Sequence, residues 1–183
     1  MAMVWPDYFE YLTQDFLKRD KNRTPLIDPV FEEKVSVVYY YPNMQADIFN
    51  ALVDNQYKGI VIAGTGLGHV NHVVNPAIKK AIQNGVIVVM TVQTLWGYVQ
   101  MYVYDTGRDL LDLGVIPLEN MLPETAYCKL GWVLAHTQDP KKVKDMMLTP
   151  INHEITEREP YDGYLIFQGG VPEIADFLKH VKK

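Results

Sequence analysis

Three short apolar runs, residues 35–41, 59–63 and 86–90, recur between helix-like segments, and that alternation admits few folds. Each run is rich in β-branched residues and carries no charge, the composition of strands covered on both faces. Between the first two, Met44, Ile48 and Leu52 recur at spacing four on an expected helix. Between the second and third, Pro76 sits in the first turn of a helical segment over 75–84, with Ile78 and Ile82 one turn apart and Gly85 at its end. Strand–helix–strand repetition predicts an α/β domain, a three-layer α/β/α arrangement on a parallel sheet of about four strands.

Past the third run the pattern loosens over 91–105, where Tyr98, Tyr102 and Tyr104 interleave with polar residues, and a long functional loop is expected. A short helix is predicted over 107–114. Pro123 opens the strongest helix, running to about Thr137 with Tyr127, Leu130, Val133 and Leu134 on one side. Asp139 and Pro140 begin another, with Val143, Met146 and Met147 as its apolar face and Thr149-Pro150 as its stop. In the tail, Tyr164–Phe167 reads as a short strand and Val171–Val181 as a closing helix. Residues 1–33 read as an N-terminal arm or linker remnant: Tyr8 to Leu17 forms an amphipathic segment, expected to be a helix, and 18–23 is strongly charged. The α/β domain is expected over 34–183.

Apolar residues are 48% and charged residues 21% of the 183, a globular balance without a run long enough to span a bilayer. The first residues lack the basic and apolar regions of a secretory signal, so the chain reads as cytoplasmic. Cys128 has no partner for a disulfide or thiolate metal site and is expected to pack within a helix. A net charge of −5 gives no global attraction for nucleic acid, so RNA contact would require a partner.

The second run breaks into Ala63-Gly64-Thr65-Gly66-Leu67-Gly68-His69-Val70, a turn at the carboxyl end of a strand, where open α/β sheets bind ligands. Gly64, Gly66 and Gly68 permit positive φ and close approach to the main chain, and Thr65 and His69 supply polar side chains. The spacing is G-x-G-x-G, and the next strand ends at Met90-Thr91 without an acidic residue for a ribose, so a dinucleotide site is disfavoured and no cofactor is expected. His69 and His72 without a nearby carboxylate or Cys make a thin metal site. Thr65, Thr91 and Thr94 lie at strand ends where a nucleophile could stand, but each would need a positioned base. Tyr127, Trp132, Met146 and Met147 read as core, and Glu32, Glu33, Glu157 and Glu159 as solvated charge.

Several ordered motifs then carry a resemblance. They are Phe31-Glu-Glu-Lys-Val35, Gly59-Ile-Val-Ile-Ala-Gly-Thr-Gly-Leu-Gly-His-Val70, Val88-Val-Met-Thr91, Val103-Tyr-Asp-Thr-Gly-Arg108, Gly114-Val-Ile-Pro117, Asn120-Met-Leu-Pro-Glu-Thr-Ala-Tyr127 and Met147-Leu-Thr149. Over about 31–155 the chain resembles the C-terminal domain of asparaginase-type amidohydrolases. Leu122-Pro-Glu-Thr-Ala-Tyr127 and Met147-Leu-Thr149 look most like the D-subunit family of archaeal glutamyl-tRNA(Gln) amidotransferases. The glycine turn and Gly-Val-Ile segment are shared with type I asparaginases.

The resemblance implies a flavodoxin- or Rossmann-like fold and a parent enzyme that hydrolyses glutamine through a threonine acyl-enzyme, passing ammonia to a tRNA-binding, ATP-using partner. The family's catalytic Thr-Gly-Gly-Thr and Thr-Asp motifs belong to an N-terminal domain and are absent from this sequence. The chain is therefore expected to be a C-terminal piece, inactive alone, that completes a homodimer's active site. By alignment the residue reaching across falls at His69, where bacterial asparaginases commonly carry Asn, and Tyr104 occupies the region of an acidic contact in some relatives. Gly64, Thr65, Gly66, Gly68, His69 and Tyr104 are thus the expected substrate-binding set. Asn152-His153-Glu154 departs from the amidotransferase pattern, where a small residue and Gly precede Glu. Two other readings stay open: an interaction module docking through the arm, and a small-ligand sensor using the glycine turn.

Overall fold

The computed structural model describes residues 18–156, together with the backbone of 2–4 and 9–11. Strands β1 (Ala2–Val4) and β2 (Phe9–Tyr11) pair antiparallel. The helix expected from Tyr8 to Leu17 is therefore a strand where it is described. Phe9 and Tyr11 stand two apart, the period of a strand, and both are good strand formers. The expected tail elements, Tyr164–Phe167 and Val171–Val181, lie outside the described residues.

The main sheet holds β3 (Val35–Tyr39), β4 (Gly59–Gly64), β5 (Ile87–Val92) and β6 (Ile116–Pro117), in that spatial order and all parallel. Helices α1 (Asp47–Asp54), α2 (Asn75–Gln83) and α3 (Asp105–Leu113) are the crossovers, and α4 (Pro123–His136) and α5 (Pro140–Leu148) follow the last strand. When strands are laid down in sequential order, right-handed crossovers all fall on one face. Phe49, Ile78 and Leu110 from α1–α3 accordingly share one core with Ile60, Ile62, Val88 and Met90. The opposite face, with Val61, Ile87 and Val89, is covered by Leu130 and Val133 of α4 and Val143 and Met147 of α5. Alternation along each strand thus feeds two cores, and every residue of β4 and β5 is buried. Each large aliphatic side chain buried this way contributes about 1.5–3 kcal/mol.

The local signals explain the boundaries. Asp139 Oδ1 accepts from the N–H groups of Lys141 at 2.9 Å and Lys142 at 3.4 Å, capping α5 with Pro140 in its first turn. Gly114, at φ +100°, ends α3 in the left-handed conformation. Helix α1 starts at Asp47, after Met44, and its inward face runs through Phe49, with Leu52 and Val53 packed against that core. Ile48, expected inward from spacing four, is 43% exposed. Cys128 lies on α4 as expected but on its exposed side, so it packs in neither core.

Two segments are tied to α4. Lys129, 6% exposed, donates to the Thr149 carbonyl and to Glu154 Oε1, each at 2.6 Å, anchoring the chain beyond α5. On the helix's other flank, the strap over 18–34 has neither helix nor strand, and Phe31 lies against Gly131. A Cβ at Gly131 would stand 2.2 Å from the Phe31 ring.

Candidate functional site

The glycine turn follows directly from the end of β4. Thr65 N–H donates to the His69 carbonyl at 3.0 Å, and the N–H groups of Gly68 and His69 donate back to the Thr65 carbonyl at 3.0 and 2.9 Å. Gly66 and Gly68 take φ of +53° and +88°. At Gly64 the constraint is space, because a Cβ would lie 2.9 Å from both the Gly68 carbonyl carbon and the His69 nitrogen. The turn is therefore a closed loop that spends the N–H groups of Thr65, Gly68 and His69 on itself, and Thr65 and His69 are its polar side chains.

His69 points to the first turn of α3. Its Nδ1 is 3.1 Å from Thr106 Oγ1, and its ring meets Tyr104 edge-on with centroids 5.3 Å apart. Gly107 makes room: a Cβ there would lie 2.8 Å from His69 Cε1 and 2.3 Å from the Met101 carbonyl oxygen. Burial lowers the pKa of His69, and the nearby Asp105 carboxylate opposes this, so the imidazole is neutral at pH 7. Its Nε2 is enclosed and finds no hydrogen-bond partner among the described residues. Tyr104 caps the start of α3 and leaves its side chain 56% exposed, beside exposed Tyr102 and Val103.

Of the expected site residues, the fold brings Gly64, Thr65, Gly66, Gly68, His69 and Tyr104 to one end of the sheet, at the carboxyl ends of the strands. Gln93, Thr106 and Gly107 join them; Thr106 and Gly107 stand within the Val103–Arg108 motif, but none of the three was in the expected substrate-binding set. The Gln93 side chain donates to the carbonyls of Ala63, at 2.9 Å, and Tyr40, joining the ends of β3 and β4. Among the hydroxyls weighed as nucleophiles, Thr65 Oγ1 donates to the His69 carbonyl at 3.2 Å, and Thr91, fully buried, to the Ile62 carbonyl at 3.4 Å. Neither faces a base. Thr106 does face an imidazole, but no carboxylate orients that ring through Nε2, so the contact holds His69 in place. His72 turns away to Asp109, 3.4 Å from its Nδ1. A groove of about 610 Å³ beside β6, lined by Val86, Ile116, Lys141 and Lys144, contains none of the expected residues.

The sequence model of the glutaminase/asparaginase C-terminal domain family matches residues 34–147. The chain belongs to that family. Among curated relatives, this asparaginase-type domain is 52% identical to the glutamyl-tRNA(Gln) amidotransferase D subunit of Thermococcus kodakarensis over 166 residues, covering 90% of this chain and 38% of the relative. It is 50% identical to the corresponding protein of Pyrococcus furiosus, covering 91% and 38%. The chain thus spans under two-fifths of the length of these relatives. Among solved structures it superposes on the thermostable L-asparaginase from Thermococcus kodakarensis with a TM-score of 0.72 at 30% identity, covering 85% of this chain and 47% of that one. For L-asparaginase I from Vibrio cholerae the TM-score is 0.69 at 28% identity, covering 82% and 46%.

Proposed function

We propose that this domain serves the glutaminase component of a tRNA-dependent amidotransferase, which releases ammonia from glutamine so that Glu-tRNA(Gln) becomes Gln-tRNA(Gln). The observation that carries this reading is identity of about half to the amidotransferase relatives along nine-tenths of the chain. Two features support the same choice. Leu122-Pro-Glu-Thr-Ala-Tyr127 starts α4, and Met147-Leu-Thr149 ends α5 and supplies the carbonyl that Lys129 holds.

In this proposal the catalytic threonines come from an N-terminal domain, and this domain closes the active site of a second copy in a cytoplasmic homodimer. An ATP-using, tRNA-binding partner receives the ammonia. His69 and Tyr104 are the groups offered to the amide substrate, with the glycine turn as their mount. A neutral imidazole held through Nδ1 can hydrogen-bond through Nε2 once the ring turns outward.

A chimera tests the proposal. Residues 34–183 replace the matching segment of the Thermococcus kodakarensis amidotransferase relative, and glutamine-dependent Gln-tRNA formation is measured with that organism's partner protein and ATP. Amidation is expected. Asparagine hydrolysis without tRNA-dependent amidation would overturn the reading in favour of an L-asparaginase domain, the alternative that the structural neighbours favour. Within an active chimera, His69→Ala is expected to lower kcat/KM for glutamine roughly tenfold to a hundredfold, the loss of one hydrogen bond to a charged ligand group. Unchanged kinetics would reduce the turn to scaffold.

A further inference from the structure

The strap over 18–34 meets α4 at two places of different chemistry. At the first, Phe31 fills the notch left by Gly131, packs against Tyr127 with ring centroids 5.7 Å apart, and is followed by a Glu32 N–H bond to the Gly131 carbonyl at 2.9 Å. That joint holds no histidine. At the second, a single carboxylate oxygen, Asp28 Oδ2, accepts from Trp132 Nε1 at 3.0 Å and lies 2.9 Å from His136 Nε2. The other nitrogen of that imidazole, Nδ1, lies 2.8 Å from the Trp132 carbonyl. The ring also leans on the Trp132 indole, with centroids 4.5 Å apart.

Both nitrogens of His136 therefore face acceptors. A neutral imidazole has one N–H, so it satisfies one acceptor and sets its lone pair against the other oxygen. Only the imidazolium donates to both. Among the described residues, Asp28 is the one carboxylate within ion-pair distance of the ring. The nearest acidic residue along the chain, Asp139, is occupied by the N–H groups of Lys141 and Lys142 at the start of α5.

We propose that Asp28, Trp132 and His136 form a proton-dependent clasp that holds or releases the strap ahead of Phe31. The apolar joint at Phe31 and Gly131 is the fixed point, and the clasp decides whether Asp28, and the exposed chain before it, stays tied to α4 or swings away. The Trp132 carbonyl bond, with Asp28 adding to it, raises the pKa of His136 above the ordinary imidazole value. The sign follows: the clasp is complete below the ordinary imidazole value and is lost as pH rises through the raised one. It stands independently of the proposed function.

The test uses the 183-residue chain. The His136 ring and the Trp132 indole N–H are followed by NMR from pH 5.5 to 8.5, alongside hydrogen exchange of the indole N–H and of the Glu32 amide, corrected for intrinsic rates. The indole resonance, the exchange protection of the indole N–H and the amide shifts of Ile27 and Asp28 should change together at the His136 midpoint, because Asp28 Oδ2 is the acceptor of that N–H. Protection of the indole N–H should fall about twofold to fivefold on the alkaline side, the range of an exposed ion pair. Protection of the Glu32 amide should persist, and His136→Gln and Asp28→Asn should each abolish the pH dependence. Indole protection that does not follow His136, or a dependence that survives either substitution, would overturn the proposal. Both side chains are partly exposed, so the variants keep the fold.

Discussion

At the scale of single residues, Gly107 decides where His69 stands. Alanine there would set a Cβ 2.3 Å from the Met101 carbonyl, a backbone atom that cannot step aside. Gly107→Ala should therefore cost about 2–3 kcal/mol in denaturant unfolding and move the His69 pKa back toward its ordinary value as the ring is pushed outward. An unchanged midpoint and titration would show that the first turn of α3 can give. The depressed pKa carries a second consequence. A histidine held neutral must charge in acid, and the unfolded chain takes up that proton first. Stability from His69 is thus present above about pH 6.5 and is lost as pH falls through the lower folded value. His69→Gln should flatten this acid-side loss in urea midpoints measured from pH 7.5 to 5. His69 and Tyr104 were legible separately, one as the polar end of a glycine turn and the other within an aromatic loop. Their edge-on contact, and the roles of Thr106, Gly107 and Gln93, depend on pairings far apart in sequence, which local spacing does not encode.

Whole elements were easier to read, because periodicity and caps are local. The strands β3, β4 and β5 and the helices α2, α4 and α5 fall within a residue or two of their expected positions, since each carries Pro, Gly or Asp at an end and an uninterrupted apolar pattern. Strand β6 is two residues long, too short for any period, and only its pairing with Val89 and Met90 reveals it. Lys129 was equally opaque: on α4 it reads as a polar position, yet it is buried against Glu154. Burial alone would raise the Glu154 pKa, but the Lys129 hydrogen bond and the backbone N–H groups of Asn152, Ile151 and Glu154 itself outweigh it and hold the value at about 2. A depressed carboxylate contributes stability above its unfolded value, near 4.5, and loses it as pH falls toward 2. Glu154→Gln should remove on the order of 3 kcal/mol at pH 7 and little at pH 2. Lys129→Met should cost about 3–5 kcal/mol at pH 7, because it strands a partly buried carboxylate. Equal losses at both pH values for Glu154→Gln would mean that packing, rather than charge, anchors the segment after α5.

For the molecule as a whole, two cores pack on one parallel sheet, and the residues proposed to meet substrate gather at the carboxyl end of its strands. A threonine nucleophile needs a base within hydrogen-bond reach and a group that orients the base. Thr65 and Thr91 spend their hydroxyls on main-chain carbonyls, and the imidazole that touches Thr106 has no carboxylate behind it. No helix among the described residues is long and apolar enough to cross a membrane, and Tyr102, Val103 and Tyr104, just ahead of α3, are exposed apolar residues beside the glycine turn. An exposed aromatic rim beside the turn suits the proposed function, in which this domain finishes a site built elsewhere. The pure 183-residue chain is therefore expected to release no ammonia from glutamine or asparagine above background, while the chimera carrying the catalytic segment of the amidotransferase relative does. The measurement is coupled ammonia detection at matched protein concentrations. Sustained turnover by the chain alone, abolished by Thr65→Ala, Thr91→Ala or Thr106→Val, would mean that it carries its own nucleophile and that the proposed division of labour is wrong.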